Sequence, residues 1–251
     1  MEIRGWPEHQ FLISDTPQAV WQKAAALFAG VAAQAIAARG RFTTALAGGS
    51  TPRGLYALLA DDKHGLLIDW ENVFIFWGDE RCVPPDHADS NYRLAHDTLL
   101  SKIPVPGRNI FPMVTGNEPP AAAAAAYEQQ LARFFGLGTG GIPAFDLILL
   151  GLGHDGHTAS LFPGSSAVAE NRTLVTASYA GPQAGYRLTL TLPVLNAAAR
   201  VLFLVTGESK AAVLYDLVTG QSQTGIMPAS LVRPAGELLV LADKQAAKYF
   251  L

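Results

Sequence analysis

Cysteine is nearly absent from this chain of 251 residues, which contains only Cys82. A single cysteine forms no internal disulfide and leaves no cysteine-rich metal site. Charged residues are also scarce, at 16%, and the net charge of -3 gives no positive excess that would attract nucleic acid or an anionic membrane. We therefore expect no nucleic-acid partner and no membrane partner, while the composition says nothing about the oligomeric state.

The sequence also lacks long apolar runs. No segment approaches the roughly 18 uninterrupted apolar residues that span a bilayer, and the first ten residues, MEIRGWPEHQ, lack the basic start and apolar stretch of a signal peptide. Hydrophobic residues still make up 49% of the chain, which is enough for a large core. We expect a cytoplasmic protein and, since neither a repeat nor a linker interrupts the chain, a single domain over residues 1–251.

The stretch at residues 145–163, FDLILLGLGHDGHTASLFP, combines a buried strand with a polar cluster. Its apolar run at 147–150 suits one strand and is too short for a buried helix. Glycines end the run, and a helix start after them would place the polar residues at the carboxyl edge of a sheet, where open α/β sheets hold ligands. Asp155 and His157 flank Gly156, so a tight turn can bring a carboxylate to an imidazole, as a general base requires. A solvated turn is the alternative for an isolated Asp-Gly-His.

Segments that suit strands alternate with helical patterns along the chain. Strands are predicted at residues 42–47, 73–77, 147–150, 173–177, 187–192, 201–205 and 238–241, with an edge strand at 11–13. Predicted helices include one that starts at Asp15-Thr16-Pro17, with a capping side chain followed by proline, and ends at Gly40, one at 53–59, and one that is capped by Asp243 and runs to Phe250. This alternation predicts an α/β fold with a mainly parallel sheet covered by helices on both faces.

Gly48-Gly49-Ser50-Thr51-Pro52 follows the strand at 42–47 and precedes a helix. Glycines let the backbone approach a ligand closely, and the amides and dipole of a helix start favour an anion such as phosphate. The loop lacks the lysine of a Walker motif and the three-glycine spacing of a dinucleotide fingerprint. A simple tight turn remains the alternative.

Gly78-Asp79-Glu80-Arg81 follows the strand at 73–77. Three adjacent charges usually form a solvated loop, with Arg81 pairing with Glu80, although Trp77 and Cys82 on either side favour partial burial. Lys210 stands at the start of a helix predicted at residues 211–218. A surface lysine in the first turn is one reading of it, but a cation there opposes the helix dipole, which favours an anionic partner. Arg187 could simply be a charge at a strand edge.

Taken together, these strand ends resemble the glucosamine-6-phosphate isomerase/6-phosphogluconolactonase family. The resemblance runs from about Ala45 to Leu241, in family order and at family spacing. The motifs that carry it are Gly48–Pro52, Gly78–Arg81, Ser90-Asn91-Tyr92, Gly151–Ser160, Arg187-Leu188-Thr189, Gly207–Ala211 and Pro228-Ala229-Ser230. One glycine motif alone would be weak, whereas the whole set is highly specific.

The resemblance implies a Rossmann-like fold and a phosphosugar lactone as the small-molecule partner. It implies hydrolysis of 6-phospho-D-glucono-1,5-lactone to 6-phospho-D-gluconate in the oxidative branch of the pentose phosphate pathway, without a cofactor or a metal. By position, His157 matches the catalytic histidine that activates water, with Asp155 beside it. The substrate-binding residues that match are Gly48, Gly49, Ser50 and Thr51 in the phosphate loop, Arg187 and Lys210 around the phosphate, and Asp79 and Arg81 beside the sugar ring.

A metal site at His154, Asp155 and His157 is an alternative reading of the central stretch. We expect none, because the turn would splay the three side chains and no other His or Cys cluster completes a tetrahedral set. His154 itself is expected to have no role.

Two rival functions remain. The isomerase/deaminase branch of the family carries an acidic residue five positions after the histidine and an aromatic residue after the acidic pair, where this chain has Phe162 and Arg81. Both departures favour the lactonase. A phosphosugar sensor that controls transcription usually carries a basic DNA-binding module, for which this chain has neither the length nor the charge.

Overall fold

The computed structural model describes residues 11–251 except 62–64, 66, 117 and 222–224. The segment MEIRGWPEHQ, on which the signal-peptide prediction depends, lies outside the described residues. The strands are β1 (Phe11–Ser14), β2 (Phe42–Leu46), β3 (Val73–Trp77), β4 (Asp79–Arg81), β5 (Leu147–Leu150), β6 (Val175–Tyr179), β7 (Tyr186–Leu190), β8 (Arg200–Val205) and β9 (Glu237–Asp243).

Six strands form a central sheet in the order β1-β9-β8-β5-β2-β3, and all neighbouring pairs are parallel. Every residue of β2 and β5 is buried, as expected for parallel strands covered on both faces. Parallel strands end at the same edge of a sheet. The segments that follow β2, β3, β5 and β8 therefore emerge side by side.

The helices are α1 (Pro17–Arg39), α2 (Ser50–Leu59), α3 (Asn91–Ala95), α4 (Pro120–Phe135), α5 (Ser166–Ala169), α6 (Leu192–Ala197) and α7 (Ala211–Thr219). The bounds predicted for α1 are confirmed: the Thr16 side chain accepts a hydrogen bond from the Ala19 amide, and Gly40 ends the helix in the left-handed conformation. Helices flank the parallel sheet, so the predicted α/β class is also confirmed.

Within the described residues, helix α1 is long and apolar enough to cross a membrane, by length and composition only. Its side chains Val20, Phe28 and Val31 are buried in the core, and the helix contacts β2, β9 and α2. Packing against the sheet accounts for this composition, because a helix that covers a sheet also needs an apolar face.

A second sheet was not foreseen from the sequence. The strands β4, β7 and β6 pair antiparallel in that order. The charged segment Asp79–Arg81, expected as a solvated loop, is therefore a strand, and its Asp79 and Glu80 are buried. The expected partial burial is confirmed, whereas the loop is wrong, because the backbone of β7 pairs with these residues over Arg187–Thr189.

Three predictions about helices are also wrong. No helix begins directly after β5, since residues 151–165 form turns in which Gly156 has a φ of 79°. Helix α2 begins at Ser50 rather than at Arg53, which places Ser50 and Thr51 in its first turn. The segment after Asp243 forms consecutive turns instead of a regular helix, although the Asp243 carboxylate does accept a hydrogen bond from the Ala246 amide.

Candidate active site

A cleft of about 410 Å³ opens at the carboxyl edge of the central sheet. Nine of the ten predicted site residues line it: Gly48, Gly49, Ser50, Thr51, Asp79, Arg81, His157, Arg187 and Lys210. The tenth, Asp155, contacts the cleft through His157. The structure therefore brings together residues from segments that are far apart in the sequence.

His157 and Asp155 form a hydrogen-bonded pair on one side of the cleft. The Nδ1 atom of His157 lies 2.5 Å from Oδ1 of Asp155, and the same oxygen accepts the His157 backbone N–H at 3.1 Å. The turn is closed by a hydrogen bond of 2.8 Å from the Gly153 N–H to the His157 carbonyl oxygen. A Cβ on Gly153 would lie 2.1 Å from His157 Nδ1, so the close approach of the ring requires glycine.

This pairing determines which ring nitrogen of His157 is available for chemistry. A carboxylate that accepts the Nδ1 proton holds the neutral imidazole in the tautomer with a lone pair on Nε2. Burial favours protonation of Asp155, but the amide and the charge of His157 outweigh it, so the pKa of this carboxyl lies below its usual value. Phe162 packs against the imidazole with ring centroids 4.6 Å apart, which restricts the ring further.

The glycine-rich loop after β2 forms another side of the cleft. A Cβ on Gly48 would lie 1.9 Å from Oδ1 of Asn91, and Gly49 has a φ of 103°. The Ser50 and Thr51 amides lie in the first turn of α2, where the helix dipole favours an anion. The Thr51 hydroxyl is 2.8 Å from that of Thr206, which joins the loop to the segment after β8.

Three cations face the same space. Arg81 and Arg187 are opposite each other on β4 and β7, and the Nε atom of each is buried with no hydrogen-bond partner among the described residues. Burial, and next the charge of Arg81, lower the pKa of Arg187. Burial also lowers the pKa of Lys210, although the negative charge of Asp155 acts to raise it. Desolvated cations without a carboxylate partner favour an anionic ligand.

Among the described residues, the Arg81 side chain does not form the suggested ion pair with the Glu80 carboxylate. The Glu80 carboxylate instead accepts hydrogen bonds from the backbone amides of Arg81, Asn91 and Tyr92 and from the Ser90 hydroxyl. It therefore caps α3, and burial raises its pKa. Arg81 donates from Nη1 to the Asp89 carbonyl oxygen at 2.5 Å.

Two cleft residues for which we predicted no role from the sequence hold the Asp79 carboxylate. Its Oδ2 accepts from the Ser160 hydroxyl at 2.6 Å, and its Oδ1 accepts from the Asn91 amide at 3.2 Å. Ser160 belonged to the polar cluster after β5 and Asn91 to the motif Ser90-Asn91-Tyr92, so both signals were present. Their meeting at Asp79 depends on the tertiary fold and could not be derived from spacing.

Within the described part of the chain, no group of three or more His, Cys, Asp or Glu residues is placed to hold a metal ion. His154 lines the cleft, while Asp155 is engaged by His157. That the protein needs neither metal nor cofactor, and that His154 has no role, stay predictions.

The parallel sheet covered by helices, with a polar cleft at its carboxyl edge, is the architecture of a Rossmann-like α/β protein. Residues 15–241 match the family described as glucosamine-6-phosphate isomerases/6-phosphogluconolactonase. The chain belongs to this family, which confirms the resemblance seen in the motifs.

Individual relatives cover nearly the whole chain. It is 45% identical over 215 residues to a 6-phosphogluconolactonase of Synechocystis sp., which covers 86% of this chain and 87% of that protein. It is 39% identical over 243 residues to the 6-phosphogluconolactonase of Rattus norvegicus, covering 94% and 91% of the two chains. Among solved structures, 6-phosphogluconolactonase from Trypanosoma cruzi superposes with a TM-score of 0.86 at 30% identity, covering 99% of this chain and 98% of that one.

Proposed function

We propose that this chain hydrolyses 6-phospho-D-glucono-1,5-lactone to 6-phospho-D-gluconate, in the oxidative branch of the pentose phosphate pathway. The observation that carries the proposal is the His157–Asp155 pair in a cleft that also holds a glycine-rich loop and three cations. The names of the relatives at 39% and 45% identity support this substrate.

The phosphate of the substrate binds, in this proposal, at the loop Gly48–Thr51 together with Arg187 and Lys210. The first turn of α2 offers amides and hydroxyls, and Arg187 and Lys210 supply positive charge at the cleft. The phosphate is remote from the bond that breaks. Its binding therefore contributes by holding the lactone carbonyl near His157.

Hydrolysis then requires one proton carrier. Nε2 of His157 takes a proton from water as the water oxygen attacks C1 of the lactone, and Asp155 stabilises the imidazolium that forms. The tetrahedral intermediate collapses as the bond between C1 and the ring oxygen breaks, and His157 returns the proton to that oxygen. The product acid ionises in water, so the enzyme ends in its starting state.

Asp79 and Arg81 are proposed to contact the sugar ring. Asp79 is buried and fixed by Ser160 and Asn91, so its carboxylate has a defined orientation towards ring hydroxyls. Arg81 carries positive charge at the cleft wall, where it can stabilise the oxyanion of the intermediate.

We also propose that the small-molecule partner of the protein is the phosphosugar lactone and that residues 1–251 act as one lactonase domain. The protein works, in this proposal, in the cytoplasm and without a cofactor. The rice relatives are described as chloroplastic, so the compartment requires its own measurement in the source cell. Fractionation followed by immunodetection would provide it.

The function is tested by assaying purified protein on freshly made 6-phosphogluconolactone and on glucosamine 6-phosphate. We expect acceleration of lactone hydrolysis above the uncatalysed rate and no turnover of the amino sugar, because Phe162 packs on His157 where the isomerase branch has an acidic residue. Turnover of glucosamine 6-phosphate alone would overturn the proposal.

A further inference from the structure

Buried side chains hold the backbone at several of the strand ends that form the cleft. The Tyr56 hydroxyl bonds both the N–H and the carbonyl oxygen of Ala47, just after β2. The Tyr127 hydroxyl accepts the N–H of Trp77, the last residue of β3. After β8 the equivalent contact comes from a charged group, Asp243, which the proposed mechanism does not use.

The Asp243 side chain is fully buried at the end of β9. Its two carboxylate oxygens lie 3.0 Å and 3.2 Å from the backbone nitrogen of Gly207, and Oδ1 also accepts the Ala246 N–H at 2.8 Å. Asp243 does not line the cleft. A buried carboxylate is costly even when it accepts hydrogen bonds, so its position behind the cleft calls for an explanation.

Gly207 determines how the chain leaves β8. It has a φ of 91° and a ψ of 149°, which turns its N–H away from the strand direction and towards Asp243. The residue before it, Thr206, lines the cleft and contacts the Thr51 hydroxyl. The Gly207 carbonyl oxygen accepts the N–H of Lys210 at 3.0 Å, closing the turn that presents Lys210.

We propose that Asp243 is a positioning residue for the phosphate end of the cleft. By holding the Gly207 N–H it fixes the turn that places Thr206 and Lys210 beside the glycine-rich loop, without touching the substrate itself. The inference rests on the proposed function, in which these residues bind the phosphate. Its consequence is selective: loss of Asp243 weakens binding of the phosphate and leaves the proton transfer at His157 intact.

The test compares Asp243→Ala and Asp243→Asn with the matched control Asp146→Ala. Asp146 is also a buried carboxylate that accepts backbone and hydroxyl hydrogen bonds, from Thr43, but it lies at the opposite edge of the sheet, just before β5. An Asn at 243 keeps an oxygen that can accept from both Gly207 and Ala246. The readout is kcat/KM for the phosphorylated lactone divided by kcat/KM for glucono-1,5-lactone.

Asp243→Ala should lower this ratio about tenfold to a hundredfold, through KM, as expected when a charge-assisted hydrogen bond is misplaced. Asp243→Asn should stay within about threefold of the wild type, since the acceptor is retained. Asp146→Ala should leave the ratio unchanged even if it lowers stability. Equal losses on both lactones, or the same drop in the control, would overturn the inference.

If Asp243→Ala does not fold, Gly207→Ala replaces it. A Cβ at this position meets no atom within 4 Å, so the only perturbation is backbone strain at a φ of 91°. A selective loss on the phosphorylated lactone again supports the inference, and an unchanged ratio overturns it.

Failure of the inference and failure of the proposed function are distinguishable. A wild-type protein that does not hydrolyse the lactone rejects the function. Calorimetric titration with 6-phosphogluconate and with inorganic phosphate then tests Asp243 directly. Weaker binding in Asp243→Ala but not in Asp146→Ala supports its positioning role, and equal binding in all three proteins overturns it.

Discussion

Arg81 and Arg187 lie directly opposite each other on the antiparallel strands β4 and β7. Like charges at opposed positions of a strand pair destabilise a sheet, and the buried Nε atoms have no hydrogen-bond partner among the described residues. The ligand-free protein therefore holds an arrangement that is unfavourable for folding and favourable for an anion. Removing one of the two charges should therefore raise the stability of the ligand-free protein and weaken its binding of an anion.

Arg187→Gln should raise the free energy of unfolding of the ligand-free protein by about 0.2–1 kcal/mol, the cost of an opposed like-charge pair. It should also weaken binding of 6-phosphogluconate, because one charged contact is lost. Denaturant unfolding and calorimetry measure the two effects. Arg108→Gln, which removes an exposed pair with Glu71, should not raise the free energy of unfolding and should leave binding unchanged, and a destabilised Arg187→Gln would contradict the prediction.

Binding of 6-phosphogluconate should weaken at alkaline pH because burial lowers the pKa of Lys210. The protonated amine binds phosphate, so affinity is full below this pKa and falls as the pH rises through it. The fall should therefore begin at a lower pH than an ordinary lysine, with a pKa of about 10.4, would give. Calorimetry across the alkaline range measures it.

Two variants isolate the contribution of Lys210. Lys210→Arg should keep its charge and flatten the alkaline profile. Lys210→Ala should lose about 1.5–3 kcal/mol of binding to the phosphorylated lactone and far less to the unphosphorylated one. Equal losses on the two lactones would remove the lysine from the phosphate site.

Glu80→Gln should destabilise the fold. The Glu80 carboxylate accepts four hydrogen bonds, three of them from backbone amides, and an amide side chain offers only one oxygen. Buried donors left unpaired cost about 1–3 kcal/mol each, so we expect a loss of about 2–4 kcal/mol. Thermal unfolding should show a drop of about 2–4 °C per kcal/mol for a chain of this size.

The exposed carboxylate of Glu71 provides the control for Glu80. Glu71→Gln breaks only a surface ion pair with Arg108, which is worth about 1 kcal/mol at most. If Glu80→Gln were no more destabilising than this control, the cap on α3 would contribute little to stability.

The burial of Glu80 could not be predicted from the sequence, whereas other features of the fold could. The strand at 147–150 and the end of α1 at Gly40 were predictable because their signals are local: an apolar run bounded by glycines, and a glycine in the left-handed conformation. Burial of Asp79 and Glu80 depends on partners at positions 90–92, 160 and 187–189. A run of charges carries no sign of donors that distant.

In the candidate site, too, the residues themselves could be predicted but the contacts that hold them could not. The identities of the predicted residues could be recognised from glycine-bounded strand ends, and parallel pairing placed those ends at one edge. The contacts that hold them, such as Asn91 on Asp79 and Asp243 on Gly207, join different elements. No spacing rule relates those positions, so only the packed structure reveals them.

Activity should survive exhaustive chelation. Asp155 is engaged by His157, and the described residues contain no cluster able to hold a metal ion. The lactone assay repeated after treatment with a strong chelator, against an untreated sample, measures this. Activity that returned only on addition of zinc or manganese would refute the prediction.

His157→Ala should lower turnover by about 10²–10⁴, the usual cost of removing a general base. Affinity for 6-phosphogluconate should be largely kept, because the proposed phosphate contacts come from α2, β7 and the turn before α7. Lactone hydrolysis followed with and without enzyme, together with calorimetry, separates these effects. The uncatalysed rate must be subtracted, since the lactone also opens in water.

Asp79 is the competing candidate for the base, and its surroundings argue against it. Both of its oxygens already accept hydrogen bonds, from Ser160 and Asn91. His157, by contrast, bonds Asp155 through Nδ1, and among the described residues no hydrogen bond engages its Nε2. Asp79→Asn should therefore raise KM more than it lowers kcat, because it disturbs orientation of the ring. If Asp79→Asn abolished turnover while His157→Ala kept it near normal, the base would be Asp79 and the roles proposed for the two residues would be reversed.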